Sequence, residues 1–195
     1  TNLRKRAGDI QWLYIAFADA IHEAMRDGDN LFPYPPPQNL YTSFYNMGFR
    51  PTVKHFAYYL DQVHDILFLE KVRKELTDTA ELRDVVSKRL ADGLCFANVD
   101  VAMVKFLCGF RLGNLDKIKA DPYGGATILG TAIKSWSKRF GQSEEEFVEI
   151  AKILVENGCD PRRVLKSRGQ YWFTLEQSLD HYGYDKGVFR EIVPR

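Results

Sequence analysis

The hydrophobic residues of this chain recur mostly at intervals of three and four, the spacing of helices that bury one face. The clearest example lies in the C-terminal half, where Val148, Ala151 and Leu154 fall on one side and charged residues fall on the other. Gly158 can turn left-handed just past a helix C-terminus, and Pro161 prevents the helix from resuming. The pattern therefore predicts a one-sided helix that ends just before Gly158.

The same spacing predicts further helices along the chain. They are expected at Gly8 to Met25, Thr52 to Leu76, Glu81 to Leu90 and Val99 to Leu107. The second of these would be the longest, and consecutive apolar residues in its middle predict that it is covered on more than one side. Ser143, followed by three glutamates, is typical of a helix N-cap with a capping box.

Residues 31 to 49 lack this spacing and are rich in proline and aromatic residues. The run Pro33–Pro37 favours an extended polyproline conformation, which an aromatic groove of a partner protein could bind. The alternative is a long loop packed against its own domain. We expect the packed loop, because several aromatic residues lie close together in the sequence: Tyr41, Phe44, Tyr45 and Phe49.

Two stretches of the C-terminal half resemble the ankyrin repeat. Residues 147 to 161, F-V-E-I-A-K-I-L-V-E-N-G-C-D-P, are similar to the second helix and exit of a repeat, typically E-I-V-K-L-L-L-E-x-G-A-D-P. Residues 121 to 133, D-P-Y-G-G-A-T-I-L-G-T-A-I, resemble the pattern D-x-x-G-x-T-P-L-H-x-A. The resemblance gives each matching position a role: Gly125 in the turn, Thr127 at the start of the first helix, Leu129 in the core and Ala132 where helices approach closely.

The match departs from the family pattern in three ways. Ile128 stands in place of Pro, and Gly130 stands in place of the His that commonly ties adjacent turns together. Between Ala132 and Glu149 the chain carries about ten residues more than a standard repeat, and insertions in such arrays map to loops or helix extensions.

Weaker similarity flanks these two stretches, in residues 103 to 108 and in residues 169 to 193. The resemblance covers residues 99 to 193, whereas the first half of the chain resembles no known family. It implies stacked helix pairs that form a binding surface without chemistry of their own. We therefore predict an all-α fold: an irregular helical domain with the Pro/Tyr-rich loop in residues 1–97, followed by a short array of degenerate ankyrin-like helical repeats in residues 98–195.

Composition narrows the class of function. With 27 Lys and Arg against 26 Asp and Glu, no global charge favours nucleic acid or an anionic membrane as the partner. No apolar segment has the length of a signal peptide or membrane span. Cys95, Cys108 and Cys159 are too few and wrongly spaced for a disulfide framework or metal site, so we expect an intracellular protein, cytoplasmic or nuclear. The first residue is not Met, which suggests a fragment of a larger protein.

Histidines offer the main candidates for catalysis. The pair His22–Glu23 lacks the second His of a zinc motif, because the matching position holds Arg26. His55 and the pair His64–Asp65 suggest a metal-dependent phosphohydrolase, but their spacing places the two histidines on opposite faces of one helix, where they cannot share a metal. We predict no cofactor and no enzymatic activity, with an unrecognised hydrolase as a minor alternative.

These observations favour a non-catalytic protein–protein interaction module. The alternative is a structural or regulatory domain that packs against a catalytic domain of its own larger chain. In proteins that resemble ankyrin, the turn tips and the exposed side of the first helices bind the partner. The corresponding residues here are Tyr123, Lys134, Ser135, Arg168, Gln170, Tyr171 and Trp172. The aromatic residues are the strongest candidates, although Trp172 could instead begin the last helix and pack inside.

Overall fold

The computed structural model describes residues 35–46, 48–118, 126–136, 143–166, 171–185 and 187–193. These residues are mostly helical and contain one two-stranded sheet, which confirms the predicted all-α class. The helix predicted at Gly8 to Met25 lies outside the described residues. The chain divides into two compact units, Thr1–Thr77 and Asp78–Arg195, whereas the sequence suggested a boundary after residue 97.

The described part of the first unit contains three α-helices. A 3-10 turn, Gln38–Leu40, leads into α1 (Tyr41–Asn46), and α2 (Val53–Gln62) and α3 (Ile66–Arg73) follow. Helix α1 therefore lies in the segment for which a loop was expected. The end of the proline run packs inside this unit: Pro35 and Pro36 are buried, and the hydroxyl of Tyr59 donates a hydrogen bond of 2.7 Å to the carbonyl oxygen of Pro36.

The single long helix predicted at Thr52 to Leu76 is wrong, because the chain breaks between α2 and α3. Val63 is extended, and the carboxylate of Asp65 accepts a hydrogen bond from the backbone N–H of Phe68 at 3.2 Å. Asp65 is thus the N-cap of a new helix, a role in which its short side chain replaces a missing intrahelical partner. Helix α3 buries Phe68 but leaves Leu67 exposed, so it is covered on one side only.

Aromatic rings form the core of the first unit. The ring of Tyr41 meets that of Phe68 edge to face with a centroid distance of 5.2 Å, and the Tyr59 ring meets Phe68 in the same way at 5.0 Å. Phe49 also packs edge-on against Tyr41. Such edge-to-face pairs add to the free energy gained by burying the rings.

The second unit contains six helices among the described residues. They are α4 (Ala80–Phe96), α5 (Val101–Cys108), α6 (Ile128–Ser135), α7 (Glu144–Glu156), α8 (Leu175–Tyr182) and α9 (Val188–Ile192). A 3-10 turn, Leu115–Lys117, precedes α6, and the strands β1 (Leu165–Lys166) and β2 (Trp172–Phe173) lie between α7 and α8.

Helix α4 continues past its predicted end at Leu90 and includes Gly93. This glycine is buried, and a Cβ atom at its position would overlap the side chain of Val99. It therefore permits a close approach inside the helix instead of ending it. The helix ends where Ala97 adopts the left-handed conformation, with a φ of 50°.

The helices of the second unit stack in pairs. Each first helix (α4, α6, α8) packs against its following second helix (α5, α7, α9). The first helices also pack against one another in order, as do the second helices. The result is a two-layered row in which each pair packs against the next, as in helical solenoids.

Each first helix begins with a threonine. The side-chain oxygens of these N-caps accept a hydrogen bond from the N–H of the third helical residue, and the donors are Leu82, Gly130 and Gln177 for Thr79, Thr127 and Thr174 respectively. The prediction that Thr127 starts a helix is confirmed. The N-cap predicted at Ser143 is confirmed, because its side-chain oxygen accepts a hydrogen bond from the N–H of Glu146. The capping box predicted there is not confirmed; the Ser143 hydroxyl donates to the carboxylate of Glu145.

The predicted end of α7 is also confirmed. Gly158 has a φ of 99°, and the N–H of Cys159 donates to the carbonyl oxygen of Leu154 at 3.0 Å. Gly183 ends α8 in the same way, with a bond from Tyr184 to Leu179. In both places the left-handed glycine lets the chain satisfy helix carbonyls that have no intrahelical partner.

Candidate interaction surface

A short antiparallel hairpin connects α7 to α8. Leu165 lies opposite Phe173, and Lys166 lies opposite Trp172. Leu165 also bridges to Ala126, just before α6. We call residues 161–166 and 171–173 the hairpin.

The base of the hairpin is bonded to the starts of two first helices. The carbonyl oxygen of Val164 accepts two hydrogen bonds from Thr127, one from its N–H and one from its hydroxyl, each 3.1 Å long. The N–H of Val164 donates to Phe173 at 2.9 Å, and the N–H of Leu175 donates to Pro161 at 2.6 Å. These bonds fix the hairpin relative to α6 and α8.

Gly130, which stands where the ankyrin pattern has His, lies at this contact. A Cβ atom at position 130 would overlap the carbonyl oxygen of Val164 and press on the side chain of Leu165. The absence of a side chain therefore lets the hairpin backbone lie directly against the first turn of α6. Thr127 bonds the start of α6 to the hairpin at the same place.

The hairpin combines aromatic and basic side chains. Tyr171 is 79% exposed, and Trp172 is half-buried. The guanidinium of Arg163 lies over the Trp172 ring, 5.6 Å from its centroid, a distance typical of cation–π pairs. Lys166 is exposed on the strand opposite Trp172.

Among the described residues Arg162, unlike Arg163, forms an ion pair with a neighbouring carboxylate. Its guanidinium donates to the carboxylate of Asp160 at 2.9 Å, and its backbone N–H donates to the same oxygen. These bonds hold the pKa of Asp160 below its usual range. The charge of Arg162 is thus compensated within the chain.

The structure does not bring all the predicted site residues together. Tyr123, Arg168 and Gln170 lie outside the described residues. Tyr171 and Trp172 lie on the hairpin, whereas Lys134 and Ser135 lie in the last turn of α6, at the end opposite its N-cap. The described residues of the set therefore occupy two separate places.

The interpretation that Trp172 begins the last helix is wrong. Trp172 belongs to β2, and α8 begins after Thr174. The sequence signal for that N-cap was present, because Gln177 stands three residues after Thr174 and closes a capping box.

Ser135 is engaged inside the stack. Its hydroxyl donates a hydrogen bond of 2.7 Å to the carbonyl oxygen of Cys95 in α4. The hydroxyl of Tyr184 donates in the same manner to Ile133 of α6, at 3.2 Å. In both places a hydroxyl from one helix pair binds a carbonyl near the C-terminal end of the first helix in the pair before it, α4 for Ser135 and α6 for Tyr184.

Sequence reasoning missed an exposed aromatic residue at this end of the stack. Phe96, the last residue of α4, is 73% exposed. The signal that could have found it is its register, because Phe96 falls outside the buried series Leu82, Val86, Leu90 and Leu94.

Burial raises the pKa of three acidic groups in the second unit, Cys108, Cys159 and Asp116. Burial raises the pKa of the Cys108 thiol to about 12, and it also raises the pKa of Cys159. Partial burial raises the pKa of Asp116, although the N–H of Asp160 donates to its carboxylate at 3.1 Å. Neither of these two thiols is a thiolate at neutral pH, the form that attacks electrophiles.

The histidines of the phosphohydrolase hypothesis lie in different settings. His55 is buried in α2, and its Nδ1 accepts a hydrogen bond from the N–H of Thr52 at 3.2 Å, completing a capping box. His64 is exposed in the segment between α2 and α3, so the two histidines do not share a helix. Within the described ranges, no three His, Cys, Asp or Glu side chains are grouped so that they could hold a metal ion.

None of the described helices is long and apolar enough to cross a membrane. Comparison of the chain with protein-family models, with curated proteins and with solved structures gives no significant match.

Proposed function

We propose that this chain is a non-catalytic protein–protein interaction module of the ankyrin-like type, and that the hairpin is its contact surface. The observation that carries the proposal is the position of Tyr171. This large aromatic side chain is 79% exposed on a hairpin whose base is bonded to two helices. Exposed aromatic residues of this kind supply much of the binding free energy at protein interfaces.

The anchoring of the hairpin supports the proposal. The backbone N–H groups of Thr127 and Leu175 donate to Val164 and Pro161 in the base of the hairpin, so little backbone freedom remains there to be lost when a partner binds. The stacked helices supply the rigid support, and loops on such supports commonly carry recognition.

The chemistry of the described residues supports a binding role without catalysis. Cys108 and Cys159 are buried neutral thiols, and His55 is occupied as part of a helix cap. All three cysteines are free thiols, the form that a reducing compartment maintains. We therefore propose an intracellular location, cytoplasmic or nuclear, and a protein as the partner rather than nucleic acid or a membrane.

Site-specific photo-crosslinking tests the proposal. A benzoylphenylalanine at position 171 should crosslink a partner protein in cell extract, and mass spectrometry would identify that partner for measurement with purified components. The same probe at position 96 is the control, because Phe96 is 73% exposed at the other end of the helices. Crosslinks from position 96 but not from position 171 would refute the hairpin as the contact surface.

The same experiment distinguishes an interaction module from a structural or regulatory domain of a longer chain. If position 171 crosslinks only to another part of the same longer chain, the module is a structural or regulatory domain of that chain. A purified partner must also lose affinity for the Tyr171→Ala variant while the melting temperature stays unchanged.

A further inference from the structure

We infer that the partner segment recognised by the hairpin is an acidic peptide with apolar side chains between its carboxylates. This inference rests on the proposed function and specifies its partner. It is drawn from the charges and aromatic surfaces that the hairpin holds together.

Charge is concentrated in this part of the chain. The hairpin, residues 161–166 and 171–173, contains Arg162, Arg163 and Lys166 but no Asp or Glu. The whole chain, by contrast, has a formal net charge of only +1. A local positive field of this kind attracts carboxylates and orients them before contact.

Two of these cations are available to a partner. Asp160 compensates Arg162, but among the described residues no carboxylate lies within ion-pair distance of Arg163 or Lys166. Arg163 lies over the Trp172 ring, and Lys166 lies opposite Trp172 on the other strand. A segment lying across Trp172 therefore has two cations nearby.

The aromatic residues determine what lies between the carboxylates. Tyr171 offers most of its surface, and the half-buried ring of Trp172 is held in place by β2. The Arg163 guanidinium lies over that ring, and a guanidinium without an ion-pair partner can bind a carboxylate through two parallel hydrogen bonds. Apolar side chains of the peptide would then bury area against the two aromatic residues.

The surroundings of Arg163 favour a peptide over nucleic acid. The carboxylates of Asp116 and Asp160 are close enough to interact electrostatically with Arg163. A nucleic acid carries a phosphate at every nucleotide and would bring continuous negative charge against these two carboxylates. A peptide carries fewer charges and can keep neutral residues beside Asp116 and Asp160.

The inference is tested by selecting peptides on the intact chain. A phage-displayed library of random linear dodecapeptides is panned against the immobilised protein, and fluorescein-labelled versions of the enriched peptides are measured by fluorescence polarisation. We expect the enriched peptides to be acidic and their binding to weaken steeply between about 0.05 and about 0.5 M salt, because exposed charges are screened over that range. Replacement of their Asp and Glu by Asn and Gln should remove binding.

Charge reversal on the protein gives the matched comparison. The double variant Arg163→Glu, Lys166→Glu should bind the enriched peptides at least about tenfold more weakly, since both attractions become repulsions. Lys105→Glu reverses the same charge at an exposed position on α5 and should leave the affinity unchanged. All three substitutions are at exposed positions, and melting temperatures must stay within a few degrees of that of the original chain.

The outcomes separate the inference from the proposed function. Neutral or basic peptides that lose binding with Tyr171→Ala would overturn the inference and leave the hairpin as a binding surface. Peptides that bind the hairpin variants unchanged would contradict both, as would a library that yields no binder together with no crosslink from position 171. Fluorescein-labelled oligothymidylate that binds as tightly as the peptides, with the same loss on charge reversal, would overturn the inference in favour of nucleic acid.

Discussion

The hydroxyl of Ser135 lies 2.7 Å from the carbonyl oxygen of Cys95 and links the C-terminal ends of α6 and α4. A residue that the sequence assigned to a partner surface thus serves the stack itself. We expect Ser135→Ala to lower the free energy of unfolding by about 1 kcal/mol, because the partly buried carbonyl loses its side-chain partner. Urea denaturation measures the loss, and affinity for a purified partner should not change. Weakened binding with unchanged stability would return Ser135 to the interface.

Gly130 permits the closest approach between α6 and the hairpin. Gly130→Ala would force Cβ into the carbonyl oxygen of Val164, so we expect a loss of about 1–3 kcal/mol in the free energy of unfolding. Gly187→Ala is the control, since its Cβ would meet only the flexible end of Asp185 at 3.2 Å. Equal effects of the two substitutions on thermal unfolding would show that the hairpin does not lie against α6 as described.

Two buried tyrosines of the first unit differ in hydrogen bonding. The hydroxyl of Tyr59 donates to Pro36, whereas that of Tyr41 has no partner among the described residues. An unpaired buried hydroxyl costs about 1–3 kcal/mol, so Tyr41→Phe should leave stability unchanged or raise it, while Tyr59→Phe should lower it by about 1 kcal/mol. Each protein is unfolded in urea under the same conditions. A larger loss for Tyr41→Phe than for Tyr59→Phe contradicts the described packing.

Leu154 lies in the buried face of α7 and is fully inaccessible to solvent. Leu154→Ala should reduce the free energy of unfolding by about 2–5 kcal/mol, because the missing atoms leave a cavity. Val155→Ala, at the next and half-buried position, should cost clearly less. A loss below about 1 kcal/mol for Leu154→Ala would mean that the helix is not packed at this face.

Asp116 gives the second unit a specific pH dependence. Its pKa is raised in the folded state, chiefly by burial, so the folded chain binds a proton there more tightly than the unfolded chain. Its ionisation therefore reduces stability above the folded pKa, and this loss is recovered as the pH falls from that value towards the unfolded pKa.

The Asp116→Asn variant isolates this effect, because an amide oxygen can still accept the N–H of Asp160. We expect the variant to be more stable than the original chain at neutral pH, with the difference shrinking on acidification. Urea denaturation of both proteins over an acidic to neutral pH series measures it. A difference that does not depend on pH would contradict the assignment to ionisation.

The sequence alone predicted the helix caps and helix ends that depend on residues close together in the chain. Thr127 and Ser143 cap helices through bonds to the third residue onward, and Gly158 ends α7 as predicted. Asp65 carries the same kind of signal, but helical spacing continues through it, and the spacing alone predicted one helix across the break. An N-cap residue followed by an apolar run, as at Asp65, indicates the start of a new helix.

Contacts between distant residues account for the other differences. Trp172 is in a strand because Lys166 lies opposite it, and no spacing within the segment records that pairing. Gly93 remains inside α4 because Val99 packs against it, so a glycine that usually signals an end has a packing role. The ankyrin resemblance places Ser135 on the partner surface, and the sequence pattern contains no sign of its hydrogen bond to Cys95.

The two hydrogen bonds from Thr127 to Val164 lie in the base of the hairpin, apart from the exposed side chain of Tyr171. The hydrogen bonds described for the base join Val164 to Phe173 and to Thr127, and Pro161 to Leu175. A connection between two strands held in this way can be exchanged without altering the base. A foreign recognition loop can accordingly replace residues 167–170. Binding specificity would then change while the sequence of the supporting helices stays the same.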